Sequence, residues 1–326
     1  MTNLGTDPGV RPPAPMTSII IPFLNPAPFL EEAIQSVFAQ TYPDWELLLV
    51  DDGSTDGSAE LARGYAEKHP DRIFYLEHSG HLNRGTPASR NLGIRNASGK
   101  YIAFLDSDDV WMPDKLASQT ALLEARPDVV MTYGPCLLWY SWSGDNQAKK
   151  VQDTPQDTGI RGCVVFAPPE LLKMEIQDSD MLLSPSGMLV RRGAAIAAEG
   201  FAERFCGRIQ MYEDHSFYSK LTIGENVLIS DQACFKYRQH PESCVSGVIR
   251  SGIFDNLRID FLLWLSDYLG QAHPSDTEIR AVIAKEVRLL RVRSMRASCR
   301  NIARRITPRF LRDLARSNIA SFRAHY

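Results

Sequence analysis

Three carboxylates fall within four residues at Asp106-Ser107-Asp108-Asp109, directly after the apolar run Tyr101 to Leu105. Like charges this close repel one another and are costly to desolvate, so a buried strand that ends on them points to a cation held at its tip. A hard divalent ion such as Mg²⁺ or Mn²⁺ is typically held by one or two carboxylates, with substrate phosphates completing the shell. The competing reading is a solvated turn, or a cap formed by Asp109 or Asp114 on the helix that opens near Pro113. An EF-hand loop is not expected, because the glycine at its sixth position is missing. A second acidic run, Asp51-Asp52-Gly53-Ser54-Thr55-Asp56, follows the strand-like Glu46 to Val50. Asp-Gly-Ser is common turn chemistry and Asp56 suits a helix cap. Carboxylates at a strand end can also accept hydrogen bonds from a nucleobase or a ribose.

These side chains need elements that bring them together. Apolar runs at residues 18–22, 46–50, 73–76, 101–105 and 129–133 alternate with helical patterns at 29–40, 57–69, 87–97 and 113–125. Near-continuous apolar strands separated by helices predict a mostly parallel sheet covered on both faces, a doubly wound α/β fold. Ligands of such sheets bind beyond the carboxyl ends of the strands. Three strands end in polar clusters there: Phe23-Leu24-Asn25, the Asp51 run and the Asp106 run. Residues 135–247 are less periodic and rich in loops, with breaks at Pro168-Pro169 and Ser184-Pro185-Ser186-Gly187. From about Val248 the pattern is helical, with Ser275-Asp276-Thr277-Glu278 as a capping box and Pro308 as an interruption.

Taken in order, Ile20-Ile21-Pro22-Phe23-Leu24-Asn25, Val50-Asp51-Asp52-Gly53-Ser54, Ala88-Ser89-Arg90-Asn91-Leu92-Gly93 and Phe104-Leu105-Asp106-Ser107-Asp108-Asp109 resemble the family 2 glycosyltransferases of the GT-A fold. The resemblance runs through residues 17–133. It continues in Ser184 to Arg192, Gly200-Phe201, Tyr212-Glu213-Asp214 and Tyr237-Arg238-Gln239-His240 with Ser243 and Ser246. It implies that Pro22, Asp51 and Asp52 line a nucleobase and ribose site, that Arg90 lies against base or diphosphate, and that Asp106, Ser107 and Asp108 bind the nucleotide sugar. Asp106 and Asp108 would hold the Mn²⁺ or Mg²⁺, Asp214 would be the catalytic base with Glu213 beside it, and His240 would contact diphosphate or metal. Leu24 stands where the family usually has Tyr, which removes a stacking surface and leaves a UDP-sugar favoured rather than specified.

The chemistry agrees with these roles. Loss of a nucleoside diphosphate builds charge on phosphate oxygens, which a divalent cation stabilises, and single displacement needs one carboxylate to take the acceptor's proton, so one base implies inversion. The Tyr212 to Leu221 pattern would set Asp214 at a helix start, whose dipole keeps it ionised; a plain helix-start acid is the alternative. His240 alone would read as a surface or packing residue. Arg84 reads as a solvated charge, and Trp111, Trp139 and Trp142 as aromatics with no assigned role.

Residues 17–247 therefore read as a GT-A domain, with a nucleotide-sugar half at 17–134 and an acceptor half at 135–247. Residues 1–16, rich in Pro and Gly, read as a flexible leader without the apolar core of a signal peptide. Residues 248–326 read as a basic helical extension. The 326 residues carry a net charge of -3. From Arg280 to Tyr326, 13 Lys and Arg face two acidic residues, leaving +11 there and -14 on the remainder. Val287, Leu290, Met295, Ile302 and Ile306 recur at helical intervals with arginines between them. Such a helix suits an anionic membrane face, and a packing role against the chain itself or another subunit is the alternative. Six cysteines without ligand spacing, and no apolar stretch of spanning length, predict a cytoplasmic protein, with a peripheral place at the inner membrane face as a further expectation. The acceptor would be a glycan, a lipid-linked sugar or a small hydroxyl compound; a homo-oligomer is compatible, and a nucleic-acid partner is not expected. Two other readings are a sugar-phosphate nucleotidyltransferase, which would want a Gly-, Lys- or Arg-bearing loop that Pro22 to Leu30 lacks, and a non-catalytic nucleotide-sugar-binding protein.

Overall fold

The computed structural model describes residues 15–143, 151–177, 183–240, 247–248 and 251–306. Most of the expected leader, together with Ser243, Ser246 and Pro308, lies outside the described residues. The chain divides into two compact units, Met1–Arg250 and Ser251–Tyr326.

The first unit opens with β1 (Thr17–Phe23), α1 (Leu30–Phe38), β2 (Trp45–Asp51), α2 (Ser58–Lys68), β3 (Ile73–Glu77), α3 (Thr86–Asn96) and β4 (Tyr101–Phe104). β1, β2 and β4 are buried along their whole length, because helices cover both faces of the sheet. On α1, Leu30, Ala33, Ile34 and Val37 are buried at helical spacing and join the core cluster that contains Ile19, Ile21 and Leu47. α3 lies especially close to β1. A Cβ on Gly93 would stand 2.5 Å from Cγ2 of Ile20, so the helix that carries Arg90 can sit at this distance only with glycine there.

The chain continues through β5 (Val110–Trp111), α4 (Lys115–Ala125), β6 (Val129–Tyr133), β7 (Cys136–Trp139), β8 (Thr154–Pro155), β9 (Cys163–Phe166), α5 (Glu170–Gln177), β10 (Met188–Arg191), α6 (Arg192–Ala197), α7 (Glu213–Thr222), β11 (Asn226–Ser230) and β12 (Phe235–Arg238). The main sheet has eight strands in the order β3-β2-β1-β4-β10-β6-β11-β9. β10 runs antiparallel to both neighbours, and β9 antiparallel to β11. This is the expected mostly parallel, helix-flanked α/β sheet of GT-A type. Two features exceed the expectation: three strands from the irregular half complete the main sheet, and a separate four-stranded sheet forms in the order β5-β12-β7-β8. These strands lie among the Pro, Gly and Ser breaks of the irregular half, where no regular alternation with helices marks them out.

In the second unit, α8 (Phe254–Ala272) and α9 (Thr277–Ile306) form a helical pair, and α9 starts within the capping box read from the sequence. An ion pair of 3.0 Å between Asp255 and Arg293 ties the first turn of α8 to the far part of α9. Among the described residues, no helix is long and apolar enough to cross a membrane.

Candidate active site

The carboxyl ends of β2, β1 and β4 lie side by side, and their loops are knitted together. Asp52 donates its backbone N–H to the Phe23 carbonyl at 2.8 Å, and Asn25 Oδ1 accepts from the Thr55 N–H at 2.7 Å. Asp51 is fully buried. One of its oxygens takes the N–H groups of Gly53 (3.1 Å) and Ser54 (2.8 Å), and the other takes the Tyr75 hydroxyl at 2.8 Å. Asp52 turns the opposite way and holds the backbone N–H groups of Arg84 (2.8 Å) and Gly85 (3.0 Å). Both carboxylates thus shape the rim of the β2 loop through main-chain donors. Pro22 is buried beside Val50, Leu24 is 44% exposed at the tip of β1, and the Arg84 side chain is exposed as expected of a solvated charge.

At the β4 tip, Asp106, Ser107 and Asp108 are part-exposed and Asp109 is fully buried. Asp109 acts as the internal brace. Its carboxylate accepts the Ser186 hydroxyl at 2.7 Å and the Arg238 backbone N–H at 3.2 Å, while Ser186 Oγ accepts the Asp106 N–H at 3.0 Å. Arg238 donates Nε to the Asp108 carbonyl at 2.7 Å and reaches Glu32 on α1 at 2.5 Å. Its guanidinium lies against the rings of Phe29, Trp139 and Trp142, with ring centroids 4.5 to 4.9 Å away. Pairing of β5 with β12, Phe235 opposite Trp111, carries the following His240 to the same tip, where Nε2 meets Asp108 Oδ2 at 3.1 Å. Trp111 is buried, with Nε1 donating to the Ser186 carbonyl at 2.9 Å, so it supports the turn rather than facing a ligand.

Arg90 joins this tip to α7. It is 3% exposed, and its two terminal nitrogens divide between Asp106 (2.5 Å) and Glu213. It therefore stands behind the two carboxylates as their shared counter-ion. Burial, with Asp214 and Asp106 nearby, pushes the Glu213 carboxyl up to about 8 against the pull of Arg90, since one guanidinium cannot neutralise two acids. Asp106 is likewise raised by burial and by Asp108 and Asp214. Asp109 is raised well above the usual range by burial and by its two acidic neighbours. Asp214 opens α7 beside Glu213, and its Oδ1 accepts the His215 N–H at 2.7 Å. The Tyr237 phenol is pushed up by burial and by the charges of Asp109, Asp108, Asp106 and Asp214.

The sequence reading missed the supporting residues: Ser186, Asp109 in its bracing role, Arg238, and the buried set of Glu175 on α5 with His215 and Tyr218 on α7, where His215 Nδ1 lies 2.8 Å from Glu175. Ser186 and Arg238 lie inside motifs already singled out, so their neighbourhood was the available signal. The Asp106–Asp108 tip fits a hard divalent cation: its two carboxylates offer oxygen donors, and the burial that raises Asp106, together with Asp108 and Asp214 nearby, is a penalty a cation would offset. A second group, Asp51, Glu77 and His81, has ligand atoms within 4.8 Å of one another. There the Tyr75 hydroxyl already bridges Asp51 and Glu77 at 2.8 Å each, and the His81 ring nitrogens meet Glu77 (3.1 Å) and the Ser54 carbonyl (2.9 Å).

Comparison with known proteins matches residues 18–149 to the family described as "Glycosyl transferase family 2". The candidate teichuronic acid biosynthesis glycosyltransferase TuaG of Bacillus subtilis (strain 168) is 41% identical over 114 residues, which cover 34% of this chain and 43% of that protein. The chain thus spans less than half the length of this curated relative. Among solved structures, Staphylococcus aureus TarS 1-349 in complex with UDP-GlcNAc has a TM-score of 0.61 at 18% identity, covering 83% of this chain and 71% of that one. The mannosyltransferase PcManGT from Pyrobaculum calidifontis, in complex with GDP-Man and Mn²⁺, has a TM-score of 0.56 at 19% identity, covering 94% and 80%. At these identities the likeness is one of fold.

Proposed function

We propose, for a chain that carries a glycosyl transferase family 2 domain over residues 18–149 on a GT-A fold, the transfer of a sugar from a nucleoside diphosphate donor to a hydroxyl acceptor with inversion. The observation that carries this reading is the Arg90 bridge. One buried guanidinium draws together the strand-end acids of β4 and the acids that open α7, so donor-holding and base functions share one neighbourhood.

In this reading Pro22, Asp51 and Asp52 form the nucleoside end of the site. Asp51 and Asp52 act mainly by fixing the backbone of the 53–54 and 84–85 turns, whose remaining groups meet base and ribose. Asp106, Ser107 and Asp108 hold the diphosphate end, with Asp106 and Asp108 as ligands of Mn²⁺ or Mg²⁺. When bound, that ion supplies Lewis-acid stabilisation of the charge on the departing diphosphate. Arg90 opposes the rise that burial imposes on Asp106 and aims its carboxylate. His240 lies against Asp108 and closes that end of the site. Asp214, held through the His215 N–H at the first turn of α7, takes the proton of the attacking hydroxyl. Glu213 sits deeper, engaged by Arg90, and serves to orient rather than to accept the proton. UDP-sugars are the favoured donors, supported by the UDP and UDP-GlcNAc complexes of the TarS fold relative; the GDP-Man complex of PcManGT makes GDP-sugars the comparison set.

The test is a panel of nucleotide sugars with and without Mn²⁺, read by thermal stabilisation and by release of nucleoside diphosphate. Asp108→Asn is expected to abolish metal-dependent donor binding. Asp214→Asn is expected to bind donor normally and to lose transfer by about 10²-fold or more. Normal transfer by Asp214→Asn would overturn the assignment of the base.

A further inference from the structure

The second unit carries a pattern that the transfer chemistry does not use. On α9, Ile279, Ile283, Val287 and Leu290 are buried, so one stripe of the helix is turned inward. Leu289, Val292 and Met295 are 55%, 36% and 60% exposed. At about 100° per residue they fan across a flank centred opposite the buried stripe. Lys285, Arg288 and Arg291 are exposed on or beside the same flank. Glu286 is the last acid before Asp313, and nine arginines lie between them. An amphipathic helix with only an inward apolar stripe would leave this outward face polar. Here it is apolar and cationic at once.

We propose that this outward face of α9 docks on an anionic phospholipid bilayer. Leu289, Val292 and Met295 would enter the boundary between headgroups and acyl chains, and Lys285, Arg288 and Arg291 would meet lipid phosphates. Charge decides among occupants. A second copy would set cations against cations, which disfavours self-association through this face. A nucleic acid would satisfy the cations and leave the apolar side chains in water. An anionic lipid surface takes up both. The inference rests on the second unit alone and stands whether or not the proposed transfer reaction is correct.

The full chain is to be co-sedimented with vesicles of phosphatidylcholine, and with vesicles containing about 30% phosphatidylglycerol, at low and high salt. Expected are binding to the anionic vesicles only and a loss of roughly fivefold in affinity for each of Arg288→Gln and Arg291→Gln. The triple variant Leu289→Ser, Val292→Ser, Met295→Ser is expected to lose more than about tenfold, with an unchanged melting temperature because all three side chains are exposed. No sedimentation with anionic vesicles would overturn the proposal. So would wild-type binding by the triple variant, which would mean charge alone acts. Light scattering that shows a dimer dispersed by the triple variant would assign the face to a second copy and overturn it equally.

Discussion

Arg90 is buried at the candidate site between two acids. Its partners come from β4 and α7, and its own backbone from α3, so its removal strands two acids in a buried place. Arg90→Met is expected to cost about 3 to 5 kcal/mol of stability, measured by urea unfolding. Glu213 supplies a pH test. Its folded-state value of about 8 stands above the 4.5 of an ordinary glutamate, so the folded protein holds a proton that the unfolded chain releases earlier. The stabilisation is complete below about 4.5 and is lost as the pH rises through 8. Glu213→Gln removes this titration. Its melting temperature should therefore fall less than that of the wild type between pH 5 and 8.5, and parallel curves would show that Glu213 is ionised throughout. A different carboxylate, Glu46, is buried at the opposite end of the sheet, where Ser18 Oγ (2.5 Å) and the N–H and hydroxyl of Ser98 (2.7 and 2.8 Å) satisfy it, as befits a purely structural acid.

At the scale of elements, the site depends on how closely α3 lies on β1. Gly93→Val would press a side chain into Ile20, whose Cγ2 stands 2.5 Å from the Cβ position. The expected loss is about 1 to 3 kcal/mol, with weaker donor binding as α3 carries Arg90 outward. Gly193 on α6 is the internal control, because a Cβ there meets nothing within 4 Å. Gly193→Ala is expected to be neutral or to stabilise by about 0.5 to 1 kcal/mol. Equal melting temperatures for Gly93→Val and wild type would show that α3 can shift without cost. The small second sheet works in the same way, since its β5–β12 pairing brings His240 to Asp108 from a distant part of the chain.

For the whole molecule, ligand binding should be visible as stability. A donor that binds only the folded chain stabilises it by about 2.7 kcal/mol at about one hundred times its dissociation constant. The melting temperature is expected to rise with UDP-sugar plus Mn²⁺, and to fall back when the metal is chelated. A rise of the same size without metal would show that Asp106 and Asp108 bind donor unaided. The acidic body and basic end of the chain, -14 and +11, belong to this scale too. They give the two parts opposite affinities for charged partners, and a net charge near zero hides them.

The sequence alone determined the parallel half of the sheet. Strands buried on both faces must be continuously apolar, and β1, β2 and β4 announce themselves by that requirement. It also located the acidic strand tips, because runs of carboxylates stand out directly after continuously apolar strands. Asp214, Glu213 and His240 rested on family resemblance, since a single acid or histidine at a helix start or in a loop has no local signature. Tertiary structure decided which charges meet. Arg90 and Glu213 lie 123 residues apart, and Asp108 and His240 132 apart. Tertiary structure also placed β10 antiparallel between β4 and β6, turned Asp109 inward as a brace, and set Arg238 among Phe29, Trp139 and Trp142. Hydrophobic periodicity is a local property that a strand or helix must satisfy on its own, whereas an ion pair across the fold is specified only once every intervening element has packed.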